Sequence, residues 1–158
     1  MAAIAIEKSC TIDTTSDDFF YAAFYSAKSG DFAKALSFAQ METEKSETDY
    51  GKAEGLSQQA RYLLRLSRFR EASEAASRSI SVGDKQLIGR AFTYRAEANY
   101  QLGLYKEAVQ DATTAICRNQ SDLRAYKIRA KCFEKLGRKD DAMSDRRTGD
   151  DASNGGDV

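Results

Sequence analysis

The sequence predicts an all-α protein built from about four antiparallel helix pairs stacked in one row. Three observations carry that expectation. The 158 residues contain no Pro, so nothing removes a helix amide or clashes with the turn before it. Ala is abundant and the charged residues are mostly Arg, Lys and Glu, all good helix formers. Above all, a short string recurs along the chain with a nearly constant step.

That string is Gly or Ser, any residue, an aromatic, two more residues, then Ala. It reads Gly30-Asp31-Phe32-Ala33-Lys34-Ala35, then Ser67-Arg68-Phe69-Arg70-Glu71-Ala72, then Gly103-Leu104-Tyr105-Lys106-Glu107-Ala108. A degenerate fourth copy is Gly137-Arg138-Lys139-Asp140-Asp141-Ala142. The closing Ala residues stand at 35, 72, 108 and 142, with steps of 37, 36 and 34. Seven residues before each Gly or Ser stands Ala23, Ala60, Ala96 or Ala130, and four before that stands Phe19, Leu56, Phe92 or Tyr126. Four residues after the closing Ala stand Ala39, Ala76 and Ala112, but Arg146 in the fourth copy. A large residue four before a small one puts both on one helical face. The small residues let two helices approach closely, and the Gly or Ser takes the left-handed backbone of the turn between them.

Each unit is thus a helical hairpin, with a first (A) and a second (B) helix, that cannot bury its apolar face alone. The first pair is expected at about 16–29 and 32–46, and the second at about 48–66 and 69–82. The third is expected at about 84–102 and 105–118, and the fourth at about 121–136 and 139–147. Ser16-Asp17-Asp18 and Ser121-Asp122 are suitable N-terminal caps. The domain then covers 16–147, in units of about 16–52, 53–88, 89–122 and 123–147. Residues 1–15 and the acidic stretch 148–158 read as disordered tails. The fourth unit decays after Ala142, so its short polar B helix either caps the row or adjoins further sequence.

Composition excludes several functions. There is no His, the commonest general base and metal ligand. No Gly-rich phosphate loop occurs, and Cys10, Cys117 and Cys132 have no metal-ligand spacing. These absences point to a chain that is not an enzyme and needs no cofactor; reduced cysteines, no secretory signal and no apolar run of membrane length point to a cytoplasmic or nuclear one. The acidic pairs Asp17-Asp18 and Asp140-Asp141 fall at helix starts, where the helix dipole favours them. The net charge is zero but polarised. Residues 1–54 carry 5 Lys/Arg and 10 Asp/Glu (net −5), 55–147 carry 19 and 11 (net +8), and 148–158 carry 0 and 3 (net −3). A basic body suits an acidic partner. Without an RNA-binding motif, and with acidic ends opposing it, nucleic acid is not the expected one.

The segments 92–115, FTYRAEANYQLGLYKEAVQDATTA, and 123–145 resemble tetratricopeptide-repeat (TPR) units, whose period is the 34 residues separating the third and fourth copies. The resemblance covers about 16–147. It implies a TPR solenoid, a right-handed superhelix of antiparallel pairs with a concave groove lined by the A helices. Extending that stripe to this sequence gives Asp17, Phe20, Tyr21 and Phe24, then Ser57, Gln58, Arg61 and Arg65, then Arg90, Tyr94, Glu97 and Gln101, then Arg124, Lys127, Ile128 and Lys131. The expected peptide-binding set is Arg61, Arg65, Arg90, Tyr94, Arg124, Lys127 and Lys131, with Lys135 just beyond and Glu97 opposing them. Such a groove attracts an acidic peptide or C-terminal tail of another protein, with Tyr94 and Phe24 offering stacking contacts.

In framework the chain is similar to co-chaperone TPR domains, which clamp the C-terminal carboxylates of the seventy- and ninety-kilodalton heat-shock proteins. That clamp uses Lys and Asn of one A helix, Asn of the next, and Lys and Arg of the third. The positions carried over are Ser57 and Arg61, Tyr94, and Arg124 and Ile128, of which only Arg124 keeps the expected charge. The resemblance therefore implies a protein-binding adaptor whose clamp is not retained, with a heat-shock tail as one partner to test. The alternative is a structural subunit that assembles through its convex face or its last repeat.

Overall fold

The computed structural model describes residues 15–154. Every regular element among them is a helix: α1 (Ser16–Lys28), α2 (Phe32–Lys45), α3 (Asp49–Arg65), α4 (Phe69–Val82), α5 (Ile88–Gln101), α6 (Tyr105–Arg118), α7 (Leu123–Lys135) and α8 (Lys139–Asn154). Consecutive helices pack together along the whole row. Odd-numbered helices also touch one another, α1 with α3, α3 with α5 and α5 with α7, while no two even-numbered helices do. The odd helices therefore lie on the tighter, inner side of a curved stack.

The turns inside the pairs repeat almost identically. The amides of Gly30, Ser67, Gly103 and Gly137 donate to the carbonyls of Ala27, Leu64, Tyr100 and Glu134, each at 3.1 Å. The next amides, of Asp31, Arg68, Leu104 and Arg138, reach back five residues to Ser26, Leu63, Asn99 and Phe133. This closure needs positive φ at its pivot. Gly30, Gly103 and Gly137 supply it at 86°, 78° and 75°, and Ser67 does so at 58° with a side chain attached.

The small columns perform the expected packing. Ala23, Ala35, Ala39, Ala60, Ala72, Ala76, Ala96, Ala108 and Ala112 are all buried where helices cross. Large residues fill the space between, as with Phe19 stacked on Phe38 and with Tyr62 and Leu63 inside the first core cluster. Burying each such side chain stabilises the fold by about 2 kcal/mol. A second type of close approach joins the pairs. A Cβ added to Gly55 on α3 would lie 2.3 Å from Thr43 Oγ1 and 3.2 Å from the Ala39 carbonyl of α2.

Three boundaries differ from expectation. The third A helix begins at Ile88, not near 84, because Asp84 folds its own segment into a turn, its carboxylate accepting from the amides of Gln86 and Leu87 at 2.9 and 3.2 Å. The first helix is capped from Thr15, whose amide and hydroxyl both donate to Asp18 at 2.9 Å. The last helix runs to Asn154, past the expected end at 147. No Pro stops it, and Thr148 continues it by donating to the Ser144 carbonyl. Residues 1–14, with Cys10, and 155–158 lie outside the described residues.

Candidate functional site

The inner face is laid out by helical register. On α3, α5 and α7 the residues at three- and four-residue steps from Glu54, Arg90 and Arg124 face the same side. Two ion pairs cross between neighbouring A helices there. Arg90 of α5 donates to both carboxylate oxygens of Glu54 of α3 at 3.1 Å. Arg124 of α7 pairs with Glu97 of α5.

The first pair extends along α3. Gln58 donates to Glu54 at 2.7 Å, and Arg61 reaches Gln58 at 3.5 Å. Arg65 lies over the Phe32 ring, 4.6 Å from its centroid. Lys127 and Lys131 are exposed on α7 and form no ion pair among the described residues. Helical register turns these cations toward the same side of α3, α5 and α7, and their surroundings differ. Arg90 and Arg124 are held by carboxylates, while Lys127 and Lys131 face solvent with their charge unmatched.

Tyr94 differs from the role expected of it. It is 7% exposed, and the Arg124 guanidinium covers its ring at 5.1 Å. Burial raises its phenol above the ordinary value. It forms the floor of the groove rather than an open stacking surface. Phe24 and Tyr21 on α1 do remain exposed.

Two residues important to this face escaped the sequence reading. Glu54 stands in the repeat position that Arg90 and Arg124 occupy in later units, so its sign change was readable in that column. Glu42, on α2, is buried at 4% exposure, and burial, then Glu54 and Asp17, push its carboxyl up to about 8.

The even helices carry a different network. Arg95 of α5 grips Asp111 of α6 through two bonds of 2.9 and 2.7 Å and donates to Ser77 of α4 at 3.2 Å. One repeat later, Arg129 of α7 grips Asp145 of α8 at 2.8 and 2.7 Å and reaches Thr113 of α6 at 3.1 Å. Each set of links joins three successive helices. No group of three His, Cys, Asp or Glu among the described residues could hold a metal ion. No described helix is long and apolar enough to cross a membrane. Cys132 is buried, with its thiol pushed up to about 11, while Cys117 is exposed.

No protein-family model matches the sequence. Solved structures do. The crystal structure of MamA aligns with a TM-score of 0.76 at 14% identity, over 96% of this chain and 84% of MamA. YrrB, described as a TPR protein with an unusual peptide-binding site, aligns with a TM-score of 0.70 at 9% identity, over 89% of this chain and 70% of YrrB. The chain has the TPR fold. Its helix pairs, left-handed turns and inner A-helix face are the TPR arrangement expected from the repeat columns. A TPR chain with a sequence relationship is the Hsp70/Hsp90 co-chaperone Cns1 of Saccharomyces cerevisiae, 27% identical over 94 residues. That match spans 58% of this chain and 24% of Cns1, so the chain corresponds to about a quarter of its curated relative. The Cns1 structure aligns with a TM-score of 0.62 at 23% identity, over 66% of this chain and 34% of Cns1.

Proposed function

We propose that this TPR chain is a cytoplasmic protein-interaction adaptor, co-chaperone-like, whose inner face holds an extended acidic segment or C-terminal tail of another protein. The observation that carries the reading is the unmatched charge of Lys127 and Lys131 on α7, beside Arg124 on the same face. Six cations on α3, α5 and α7 (Arg61, Arg65, Arg90, Arg124, Lys127 and Lys131) face two carboxylates, Glu54 and Glu97. An anionic chain laid along this face gains charge-assisted hydrogen bonds at Lys127 and Lys131 without displacing a carboxylate from either. The likeness to a co-chaperone makes a heat-shock-type tail the first ligand to try.

The test is titration calorimetry with an acidic peptide ending in a free carboxylate, at low and moderate salt. The reading expects binding that weakens as salt rises. Binding that ignored salt, or none at all, would contradict it. A second reading, assembly through the last repeat, is favoured by exposed Met143 on α8. It expects a molar mass above the monomer by light scattering.

A further inference from the structure

The N-terminal end of the inner face has the opposite chemistry. There α1, the end of α2 and the start of α3 enclose a cavity of about 320 Å³, lined by Asp17, Phe20, Tyr21, Glu42, Tyr50 and Glu54 among others. Three carboxyl groups from three different helices meet one space. Glu54 already has donors in Arg90 and Gln58. Glu42 does not: its Oε2 atom is fully enclosed and has no hydrogen-bond partner. Buried carboxylate oxygens are ordinarily satisfied. Burial and two acidic neighbours hold the group up to about 8, and a cation placed beside it would offset both neighbours and favour its charged form.

The walls narrow the class of donor. The three carboxyls are not placed to close on a metal ion. Phe20 is half-buried, while Tyr21 and Tyr50 are 58% and 49% exposed. Aromatic faces beside carboxylates suit an alkyl stem that ends in a cation. The carboxyl without a donor is Glu42, since Glu54 is held by Arg90 and Gln58. A carboxyl this deeply set is reached more readily by the compact ammonium at the end of a thin alkyl stem than by the broad, planar guanidinium.

We infer that this pocket takes the lysine side chain of a bound partner, the ammonium donating to the Glu42 carboxyl and the stem lying against Phe20, Tyr21 and Tyr50. The inference rests on the peptide-adaptor reading and adds a selectivity to it. Glu54 both lines the pocket and holds Arg90, so pocket and cationic face are continuous. A partner segment would set a lysine at α1 and its acidic groups toward α7.

The probe is the uncharged-ended peptide acetyl-Ala-Ala-Lys-Ala-Ala-amide, with a norleucine version as control, titrated into the full isotope-labelled chain by NMR at pH 8. Having no acidic group, it does not report on the α7 cations, so its failure leaves the acidic-peptide reading standing. The expected result is shifts at Phe20, Tyr21, Glu42 and Tyr50, with the lysine peptide binding about two- to fivefold tighter than the norleucine one, the size of a partly exposed ion pair. Glu42→Gln should remove most of that difference. Asp17→Asn, at the exposed mouth, should reduce it in part by removing one of the three carboxyls, which keeps the inference testable if the buried variant folds poorly. Equal binding of the two peptides, shifts confined to other helices, or an arginine peptide that binds better would overturn it. Binding seen only in a Lys8→Ala chain would show the chain's own Lys8 as the occupant, and would overturn the assignment to a partner.

Discussion

Arg129 and Asp145 meet through two parallel hydrogen bonds, 2.8 Å from Nε and 2.7 Å from Nη2, with both side chains largely buried. The bond to Asp145 raises the guanidinium further above its already high ordinary value. The same geometry joins Arg95 to Asp111 one repeat earlier. Removing one partner leaves the other buried and unpaired, which costs more than the pair itself contributes. Asp145→Ala should therefore lower unfolding stability by about 3 kcal/mol. Urea denaturation checks this, and a loss no larger than that of a surface ion pair would show the link to be incidental.

Ser67 is the non-glycine pivot of the second turn, at φ 58°. A side chain in the left-handed region costs about 1 kcal/mol. Ser67→Gly relieves that strain but frees the unfolded backbone, so the expected gain is about 0.5 kcal/mol. A rise in Tm checks it. The matching Gly103→Ser change should lower Tm.

At Gly55 the opposite holds. A methyl there would press on Thr43 Oγ1 at 2.3 Å and on α2 backbone atoms at 3.1 and 3.2 Å. The hydroxyl can turn aside, but the backbone of a packed helix cannot do so cheaply. Gly55→Ala should cost about 2 kcal/mol despite its better helix propensity, and denaturant midpoints would show it.

Glu42 makes stability fall as pH rises. Its carboxyl goes from an ordinary 4.5 up to about 8 in the fold. Between those values the native state holds a proton that the unfolded chain has lost. The contribution is whole below about 4.5 and is lost as pH climbs through about 8, a change on the order of a few kcal/mol. Glu42→Gln should flatten the stability curve across that window and be the more stable chain at pH 8. Parallel curves for the two chains would show that Glu42 ionises freely.

Much of this fold was legible because a repeat states its packing several times over. The Ala columns, the Gly or Ser pivots and the aromatic after each pivot gave the pair boundaries almost to the residue. Where local chemistry broke the repeat, the reading failed. Asp84 folds a turn where a helix start was expected, and α8 runs on to Asn154 past the last repeat column. The cationic stripe could be read, but its pairing could not. Glu54 and Arg90 are 36 residues apart, and only the stacking of α3 on α5 brings them together. The Arg95–Asp111 and Arg129–Asp145 links share a spacing of 16 residues and were discoverable in the same columns. Glu42 was not, since its burial comes from helices on either side of it in sequence.

The central claim is that an acidic segment lies along the inner face, and chemical-shift mapping tests it most directly. An acidic peptide with a free C-terminal carboxylate is titrated into the labelled chain and into a Lys127→Glu/Lys131→Glu chain. The account predicts shifts along α3, α5 and α7, centred on Arg124, Lys127 and Lys131, and a loss of affinity of at least about tenfold in the double variant. Shifts on the even-numbered helices, or undiminished binding by the charge-reversed chain, would contradict it.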